Sequence, residues 1–299
     1  MPQVMRLLNR VFSKSLDADG RRALNSMGGQ SNVLMRLSQW GSKVAPGFVW
    51  EMGNQMVGNV SIIPTQVMGR IIIANVAVHE DYRRRGIARA LMEAAISHLD
   101  DVGTQTVLLQ VDVDNHGAEQ LYRSLGFREM GSTTLWLAAP GQWKELARDD
   151  RYDIRPMRGS EHQHAYQVDS ESYPVDLNWP DPINQTLYRY GFFRAIDDFL
   201  NGRSREVWVV PDEKNQPAAV GAIWSEWSRP HRITMRVPED LRNELTNPLF
   251  SKLLRRLAYL RRRHISIEHP MDDAVMGQLL EAANFSPKRH LKTMKLTFT

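Results

Sequence analysis

The stretch that decides the fold is VAVHEDYRRRGIARA, residues 76–90. It joins an apolar strand to an amphipathic helix through a basic turn that contains Gly86. The first turn of a helix carries unpaired N–H groups and a partial positive charge, and glycine lets an anion approach the backbone closely. Four arginines surround the turn: Arg83, Arg84, Arg85 and Arg89. The stretch therefore predicts a site for a phosphorylated, anionic ligand at a helix N-terminus.

The composition is that of an ordinary globular protein. The 299 residues are 42% hydrophobic and 24% charged, with a formal net charge of +4. No apolar run approaches the ~20 residues that span a bilayer, and the amphipathic first residues lack the apolar core of a secretory signal. The absence of cysteine excludes disulfides, thiolate metal sites and cysteine nucleophiles. We therefore expect a cytoplasmic protein with no membrane partner and no metal site.

Two segments of the chain recur in the same order. VHEDYRRRGIARALMEAAISHL, which starts at Val78, matches VPEDLRNELTNPLFSKLLRRLAYL, which starts at Val237, at an offset of 159. LYRSLGF, which starts at Leu121, matches LLEAANF, which starts at Leu279, at an offset of 158. Offsets that agree within one residue indicate an internal duplication. We expect two domains, residues 1–140 and 152–299, joined by a linker over 141–151.

Each half alternates short, β-branched strands with helices, which predicts an α/β fold. In the first half we predict strands at 48–51, 57–64, 70–78, 106–113 and 133–137, and helices at 4–15, 88–101 and 117–125. In the second half we predict strands at 154–156, 206–210, 218–224, 231–237, 264–268 and 291–298, and a helical region over 161–200. The second half therefore has a first strand for which the first half shows no counterpart.

Three motifs together resemble one known family. They are the R-x-x-G-x-A turn at Arg83–Ala88, Asn115 seven residues before Tyr122, and the terminal Gly126-Phe127. Because they occur in the expected order on the expected elements, residues 48–137 resemble the GCN5-related N-acetyltransferase (GNAT) family, and the second half resembles it more weakly. The resemblance implies two tandem GNAT-like domains, each a mixed, splayed central sheet flanked by helices.

The resemblance also implies acetyl-CoA as the co-substrate and assigns roles to the matching residues. The pantetheine arm would pair with Val76, Ala77 and Val78, where a backbone N–H would polarise the thioester carbonyl. Asn115 would hold the pantetheine arm, and Tyr122 would protonate the departing thiolate. The pyrophosphate would lie on the turn and the first helical residues: Arg83, Arg84, Arg85, Gly86, Ile87, Ala88 and Arg89.

The same residues have structural alternatives. Tyr122 could instead be a packed helix aromatic, and Asn115 could cap the helix that begins near residue 117. The arginines could belong to a solvated turn. His79 and His116 flank the site, and we expect both to be structural or exposed.

The sequence does not fix the general base. In ribosomal-protein alanine acetyltransferases of the family, the residue five positions before the asparagine is a glutamate, whereas Gln110 stands here and cannot accept a proton. Asp112 shares the strand face of Gln110 and ranks slightly ahead of Glu51, which lies near the end of an earlier strand. A water relay is as good a candidate as either carboxylate.

The second half departs from the motif at each chemical position. Three residues of the second half differ in chemistry from those they match in the first: Leu245 stands in place of Gly86, Asp273 in place of Asn115 and Leu280 in place of Tyr122. Acidic residues that would repel a pyrophosphate lie along the matching turn, and Glu244 stands in the place of Arg85: Glu239, Asp240 and Glu244. We expect this half to have lost the coenzyme and to serve as a scaffold and substrate wall. Three of its tryptophans could line a substrate pocket between the halves, but packing in the core is the better prediction for them: Trp179, Trp224 and Trp227.

Together these patterns predict an acetyl-CoA-dependent N-acetyltransferase that transfers the acetyl group to a primary amine by direct attack. A small-molecule amine is slightly favoured over a protein N-terminus or a lysine, because Gln110 replaces the glutamate and a second domain could close over the cleft. The alternative is a non-catalytic acyl-CoA-binding or regulatory protein. A nucleic-acid partner is not expected, because the arginines between 255 and 263 fit the solvated face of a helix.

Overall fold

The computed structural model describes residues 6–8, 10–11, 47–147, 149, 151–173, 177–179, 188–189, 198, 200 and 202–298. The chain divides into two compact units, called here unit 1 (residues 1–130 and 292–299) and unit 2 (residues 131–291). Relative to the predicted domains, residues 131–140 group with the second unit and residues 292–299 with the first. The sequence domains drawn at 140 and 152 stay a prediction.

Unit 1 contains a mixed sheet with helices packed on it. Its first strands, in spatial order, are β1 (Gly47–Met52), β2 (Gln55–Pro64), β3 (Arg70–Val78) and β4 (Thr106–Asp112). The elements that follow β3 and β4 are α1 (Ile87–Asp101), α2 (His116–Ser124) and β5 (Arg128–Ala138). β1, β2 and β3 pair antiparallel, whereas β3 and β4 pair parallel through the crossover helix α1. These elements confirm those predicted between residues 48 and 137.

The core of unit 1 forms because the apolar residues of α1 recur at helical spacing. One face of α1 is buried on the sheet: Ile87, Leu91, Met92, Ala95 and Leu99. The strand residues Val107, Leu109 and Val111 and the side chain of Phe127 belong to the same hydrophobic cluster. This packing fixes the start of α1 next to the end of β3.

β3 and β4 separate after a short paired stretch. Arg70, Ile71 and Ile72 pair with residues 106–108. Beyond Ile72, β3 runs on to Val78 and β4 to Asp112 without pairing to each other in this fully described stretch. A cleft therefore opens between the carboxyl ends of two parallel strands, which confirms the predicted splayed sheet.

Unit 2 repeats this order of elements. They are β6 (Arg155–Pro156), α3 (His162–Ser172), β7 (Arg203–Pro211), β8 (Pro217–Glu226), β9 (His231–Arg236), α4 (Arg242–Leu257), β10 (Ile265–Pro270) and α5 (Ala274–Ala282). In the sheet, the part of β5 in unit 2 lies beside β10, and β9, β8, β7 and β6 follow in that order. β9 and β10 pair parallel, as β3 and β4 do.

The two units exchange one strand each. The last strand, β11 (Ser286–Thr297), lies beside β4, and its residues from Lys292 onward belong to unit 1. Its Met294 is fully buried in the unit 1 core. Lys292 donates a hydrogen bond to Glu119 of α2 at 2.8 Å. Unit 1 is therefore completed by a segment that follows unit 2 in the sequence.

Several expectations for the second half need correction. Within the helical region predicted over 161–200, α3 covers His162–Ser172, and Tyr173 after it is extended. Residues 174–176, 180–187 and 190–197 lie outside the described residues, as do 12–46, where a first strand for the first half would fall. Trp227 is 70% exposed rather than packed in a core, and Trp179 and Trp224 are half-buried.

The segment predicted as a linker is attached to unit 2. Lys144 N donates a hydrogen bond to Ala283 O at 2.9 Å, and Asn284 Nδ2 donates one to Gln142 O at 2.6 Å. Trp143 packs against the hydrophobic core of the unit. Among the helices described, none combines the length and apolar character needed to cross a membrane.

Candidate functional site

The turn between β3 and α1 presents backbone N–H groups. Arg84 and Gly86 adopt left-handed backbone, with φ of 61° and 79°, on either side of Arg85. When left-handed residues alternate with right-handed ones, their backbone N–H groups form a concave nest that binds anions. Gly86 is the N-cap of α1, and no side chain caps this helix. The first intrahelical bond runs from Ala90 N to Gly86 O at 3.0 Å, so the preceding N–H groups remain for a ligand.

The space beside Gly86 is open. A Cβ built on this glycine would meet no atom within 4 Å. Ile87, by contrast, is buried in the core and anchors the helix start, while Ala88 is half-buried behind it. The turn therefore fits a bulky anion such as a phosphate group, held by backbone donors at the positive end of a helix.

The arginines around the turn are positioned by different contacts. Arg83 Nε donates a hydrogen bond to Val78 O at 3.2 Å, and the Arg85 guanidinium lies 5.2 Å from the centre of the Tyr82 ring. Arg89 donates to Ser124 Oγ at 2.7 Å. The side chain of Arg89 thus lies against α2, and its backbone N–H is the group that faces the turn.

The end of β3 contains a bulge that sequence reasoning missed. Asn75 has a φ of 53°, and the pairing with β2 slips by one residue beside it. Val76, Ala77 and Val78, the residues assigned to the pantetheine arm, follow directly and lie beyond the last pair with β4. The available signal was an asparagine inside the apolar run IIIANVAV, since asparagine tolerates left-handed backbone.

Tyr122 is buried within the core of unit 1. It is 6% exposed, and its ring centre lies 6.1 Å from that of Phe127. The structural alternative, a packed helix aromatic, is therefore correct for the ring. Burial raises the pKa of Tyr122 to about 12, so the hydroxyl stays protonated at neutral pH and is available as a hydrogen-bond donor.

Asn115 caps α2, as its structural alternative anticipated. Its Oδ1 accepts a hydrogen bond from Ala118 N at 3.2 Å, which uses one of the two polar groups of the amide. In unit 2, Asp273 accepts one from Met276 N at 3.0 Å in the same N-cap position. The shared cap geometry supports the predicted internal duplication.

The candidate bases lie apart from each other. Asp112 ends β4 at the cleft, and its carbonyl accepts a hydrogen bond from Asn115 N at 2.8 Å. Gln110 points its amide at Thr293 Oγ1 of β11, 3.5 Å away. Glu51 is exposed on β1, two strands from β3, or about 10 Å across the sheet.

The two histidines differ in environment. His79 is buried, and its Nε2 lies 2.6 Å from Arg10 Nη1. Its Nδ1 accepts a hydrogen bond from Asp81 N at 3.3 Å. His116 is exposed at the start of α2. Their positions agree with the expected structural and exposed roles.

In unit 2 the corresponding turn is helical. α4 begins at Arg242, directly after a single 3₁₀ turn over Glu239–Leu241, and Leu245 is buried where unit 1 has the open Gly86. By the repeat offset, α4 begins about one turn earlier than α1. The added turn consumes the residues that form the nest in unit 1.

The remnant of the cleft in unit 2 is a small polar cavity. Its volume is about 10 Å³, enough for about one water molecule. His269, Asp273 and Arg242 line it. His269 Nε2 lies 2.8 Å from Asp273 Oδ2, and Arg242 Nε lies 3.5 Å from the same oxygen. By the repeat offsets Arg242 corresponds to Arg83 and Asp273 to Asn115, so in unit 2 the matching arginine forms an ion pair with the aspartate that stands in place of the asparagine.

Comparison with known proteins agrees with this geometry. Residues 13–127 match the model of the Acetyltransferase (GNAT) family. A ribosomal protein bS18-alanine N-acetyltransferase of Escherichia coli (strain K12) is 43% identical over 63 residues, which are 21% of this chain and 43% of the relative. An N-alpha-acetyltransferase of Sulfurisphaera tokodaii is 35% identical over 95 residues, 28% of this chain and 56% of the relative.

A solved structure extends the likeness to both units. A GCN5-related N-acetyltransferase from Sphaerobacter thermophilus superposes with a TM-score of 0.60 at 12% identity, covering 92% of this chain and 89% of that one. At this identity the likeness concerns the fold alone. Over residues 13–127, the chain is thus similar to the GNAT family of acetyltransferases. It spans about half the length of the curated relatives it matches.

Proposed function

We propose that this protein is an acetyl-CoA-dependent N-acetyltransferase with one working site, in unit 1. The observation that carries the proposal is a cleft between two splayed parallel strands that lies beside an uncapped helix start. The cleft suits an extended arm, and the helix start suits a pyrophosphate. Bound there, acetyl-CoA would supply an activated acetyl thioester.

The backbone and the turn would perform the binding. Val76, Ala77 and Val78 lie beyond the last pair between β3 and β4, so their backbone groups can pair with an extended ligand. The nest from Arg84 to Gly86 and the N–H groups of Ile87, Ala88 and Arg89 would hold the pyrophosphate, with Arg83 and Arg85 adding charge. Asn115 keeps an amide N–H₂ for the pantetheine arm while its oxygen caps α2.

Tyr122 would act on the leaving group. A phenol with a pKa of about 12 is a weaker acid than a thiol, whose pKa is about 8.5. Tyr122 would therefore stabilise the developing thiolate mainly by donating a hydrogen bond, and the thiolate takes its proton from solvent as the product leaves. The amine nitrogen forms a bond to the acetyl carbon, the carbon–sulfur bond breaks, and the amine proton passes to water or to a carboxylate.

The demand on the base depends on the acceptor. An α-amine has a pKa of about 8, against about 10.4 for a lysine, so at neutral pH the α-amine is far easier to deprotonate. Gln110 cannot take the proton, which leaves Asp112, Glu51 or a water relay. A site with so weak a base is better suited to an α-amine than to an alkylamine.

Two acceptor classes follow from different observations. The names of the two curated relatives refer to N-acetylation of an alanine of a ribosomal protein and to N-alpha-acetylation, and they make an α-amine of a protein the first acceptor to test. The second acceptor class to test is a small amine with a low pKa, which is favoured because Gln110 stands in place of the glutamate base. Unit 2, with its nest replaced by helix and its cleft reduced to a small cavity, would serve as a scaffold. A cytoplasmic location stays a prediction.

The test is an acetyl-CoA-dependent thiol-release assay on the full chain. The acceptors are peptides with a free N-terminus, the same peptides with the N-terminus blocked and one lysine, polyamines and aminoglycosides. We expect the rate to be highest with free α-amines. Acetyl-CoA binding without transfer to any acceptor would support the non-catalytic alternative, and absence of acetyl-CoA binding would refute the proposal.

A further inference from the structure

The pairing of β2 with β3 slips by one residue beside the cleft. Asn59 pairs with Ala77, whereas Ser61 pairs with Ala74, so two residues of β3 oppose the single residue Val60. One of those two, Asn75, adopts left-handed backbone with a φ of 53°. A slip of this kind is a β-bulge, in which the extra residue loses its ladder partner.

Side chains of β2 satisfy the bulge. Asn59 Nδ2 donates a hydrogen bond to Asn75 O at 2.9 Å. Ser61 Oγ accepts from both amides, at 3.3 Å from Asn59 Nδ2 and 3.3 Å from Asn75 Nδ2. Asn59 is 4% exposed and Ser61 7% exposed. The network is therefore buried, and it binds the backbone carbonyl at the bulge itself.

The bulge sets which backbone groups face the cleft. Successive residues of a strand point their N–H and C=O groups to opposite sides, so one inserted residue reverses that order from the bulge onward. Val76 is the second residue of the bulge, Ala77 and Val78 follow it, and β4 no longer pairs with β3 there. The backbone donors that the proposed function places on the thioester therefore depend on the bulge.

The same strand pair in unit 2 is regular. β8 and β9 pair without a slip from Val220 opposite Arg236 to Trp224 opposite Arg232. Within β9, which is described throughout, no residue has a positive φ. Unit 2 also lacks the open glycine turn, and although β9 and β10 separate as well, a cavity of only about 10 Å³ lies between their ends. The bulge is thus present in the unit that keeps the site and absent from the unit that has lost it.

We propose that Asn59 is a positioning residue for acetyl transfer: its side chain holds the Asn75 carbonyl and thereby aims a backbone N–H group among residues 76–78 at the thioester carbonyl. Ser61 supports it by accepting from both amides. This inference rests on the proposed function, because it concerns the same cleft. Asn59 acts through the backbone and does not touch the acetyl group.

The test measures the polarisation of the bound carbonyl in the full chain. The infrared stretch of [1-¹³C]acetyl-CoA is recorded free and bound, without an acceptor, and kcat and the acetyl-CoA Kd are measured separately. In the wild type we expect the bound carbonyl to shift to lower frequency. Asn59→Ala should lose most of that shift and about 10²-fold in kcat, with a Kd within about threefold, because the reacting carbonyl is misplaced while the turn still binds the pyrophosphate.

A second pair of variants covers the case in which Asn59→Ala does not fold. Glycine keeps left-handed backbone without strain, whereas valine disfavours it. Asn75→Val should therefore lose much more of the carbonyl shift than Asn75→Gly. The matched control is Asn215→Val, at a hairpin turn of unit 2 where φ is 62°; it should lower stability similarly and leave the carbonyl frequency unchanged.

The outcomes separate the two proposals. If the wild type does not bind acetyl-CoA, the proposed function fails. If the wild type binds and shifts the carbonyl but Asn59→Ala shows the same shift and the same kcat, the positioning role is wrong. It is equally wrong if Asn75→Gly loses as much shift as Asn75→Val, since the side chain and not the backbone conformation would then matter.

Discussion

At the scale of single residues, Tyr122 combines a packing role in the core with the chemical role proposed for its hydroxyl. Its ring belongs to the core of unit 1, and the same burial keeps its hydroxyl protonated by raising the pKa to about 12. Removing the hydroxyl leaves the ring in place. The chemical role can therefore be tested without disturbing the packing.

We expect Tyr122→Phe to lower kcat by about 10²-fold or more, because the developing thiolate loses its donor. The acetyl-CoA Kd, measured by calorimetry, should change little, since the pyrophosphate and pantetheine contacts lie elsewhere. With a pKa of about 12, the wild type should show no loss of rate due to Tyr122 below about pH 11. An unchanged kcat in the variant would remove Tyr122 from the reaction.

His269 in unit 2 makes a pH-dependent prediction. Burial lowers its pKa, so the folded unit keeps the ring neutral beside Asp273. Below pH 6.5 the unfolded chain therefore binds a proton that the folded chain does not, and the free energy of unfolding falls as the pH falls. One such group changes that free energy by at most about 1.4 kcal/mol for each pH unit.

Urea unfolding at pH 7.5 and 5.5 measures the effect. His269→Gln should show a smaller loss of stability between these two pH values than the wild type. The exposed His116 provides the control, and His116→Gln should keep the wild-type difference. Equal pH dependence in all three proteins would contradict the assignment.

At the scale of residues, the sequence predicted some features of the site and missed others, and the difference has a physical reason. The cap of Asn115 and the left-handed Gly86 follow from local chemistry, which a sequence displays directly. The contact of Gln110 with Thr293 joins residues 183 positions apart, and the bulge at Asn75 depends on its β2 partner. Neither could be found without knowing which strands are neighbours.

At the scale of elements, the N-terminus of α1 carries the binding prediction. Alanine at Gly86 would keep the helix but put a methyl group beside the N–H groups, at a φ of 79°. We expect Gly86→Ala to weaken acetyl-CoA binding at least about tenfold in calorimetry, because a Cβ obstructs the close approach of the phosphate. Stability should fall by about 1 kcal/mol.

The other end of α1 supplies a matched control. Gly103 has a φ of 74°, and a Cβ built there would also meet no atom within 4 Å. Gly103→Ala should therefore lose similar stability while leaving the acetyl-CoA Kd unchanged. If both variants weaken binding equally, the effect comes from the helix as a whole and not from the turn.

At the scale of the whole molecule, the contrast between the units predicts the binding stoichiometry. In unit 2 the buried Leu245 stands at the position of the open Gly86. A cavity of about 10 Å³ lies where unit 1 has its cleft. Calorimetric titration should give one acetyl-CoA per chain. A second site would show that unit 2 opens in a way that the turn at Arg242 does not suggest.

The exchanged strand makes a further prediction about stability. Met294 is fully buried in unit 1, so Met294→Ala should lower the free energy of unfolding by about 2–5 kcal/mol. Deleting residues 292–298 should abolish acetyl-CoA binding, although every predicted binding residue is retained. Thr297→Ala, at an exposed position of the same strand, should behave as the wild type.

Most strands and helices followed from the sequence because hydrophobic periodicity is local. The partners of β5 and β11 did not, since the pairing of strands separated by more than a hundred residues leaves no local signal. The predicted boundary at residue 140 was placed from the sequence repeat. The compact units are defined by contacts in the folded chain, and they divide it after residue 130 instead.

The strand exchange also bears on the order in which the protein matures during synthesis. Residues 76–122, which hold every proposed coenzyme contact, leave the ribosome long before Met294, which completes their core. Unit 1 cannot close until residues 292–298 have been made, although most of its sequence comes before unit 2. A nascent chain interrupted inside unit 2 would thus carry an unfinished coenzyme site, so the proposed acetyl transfer depends on the synthesis of a segment that follows unit 2.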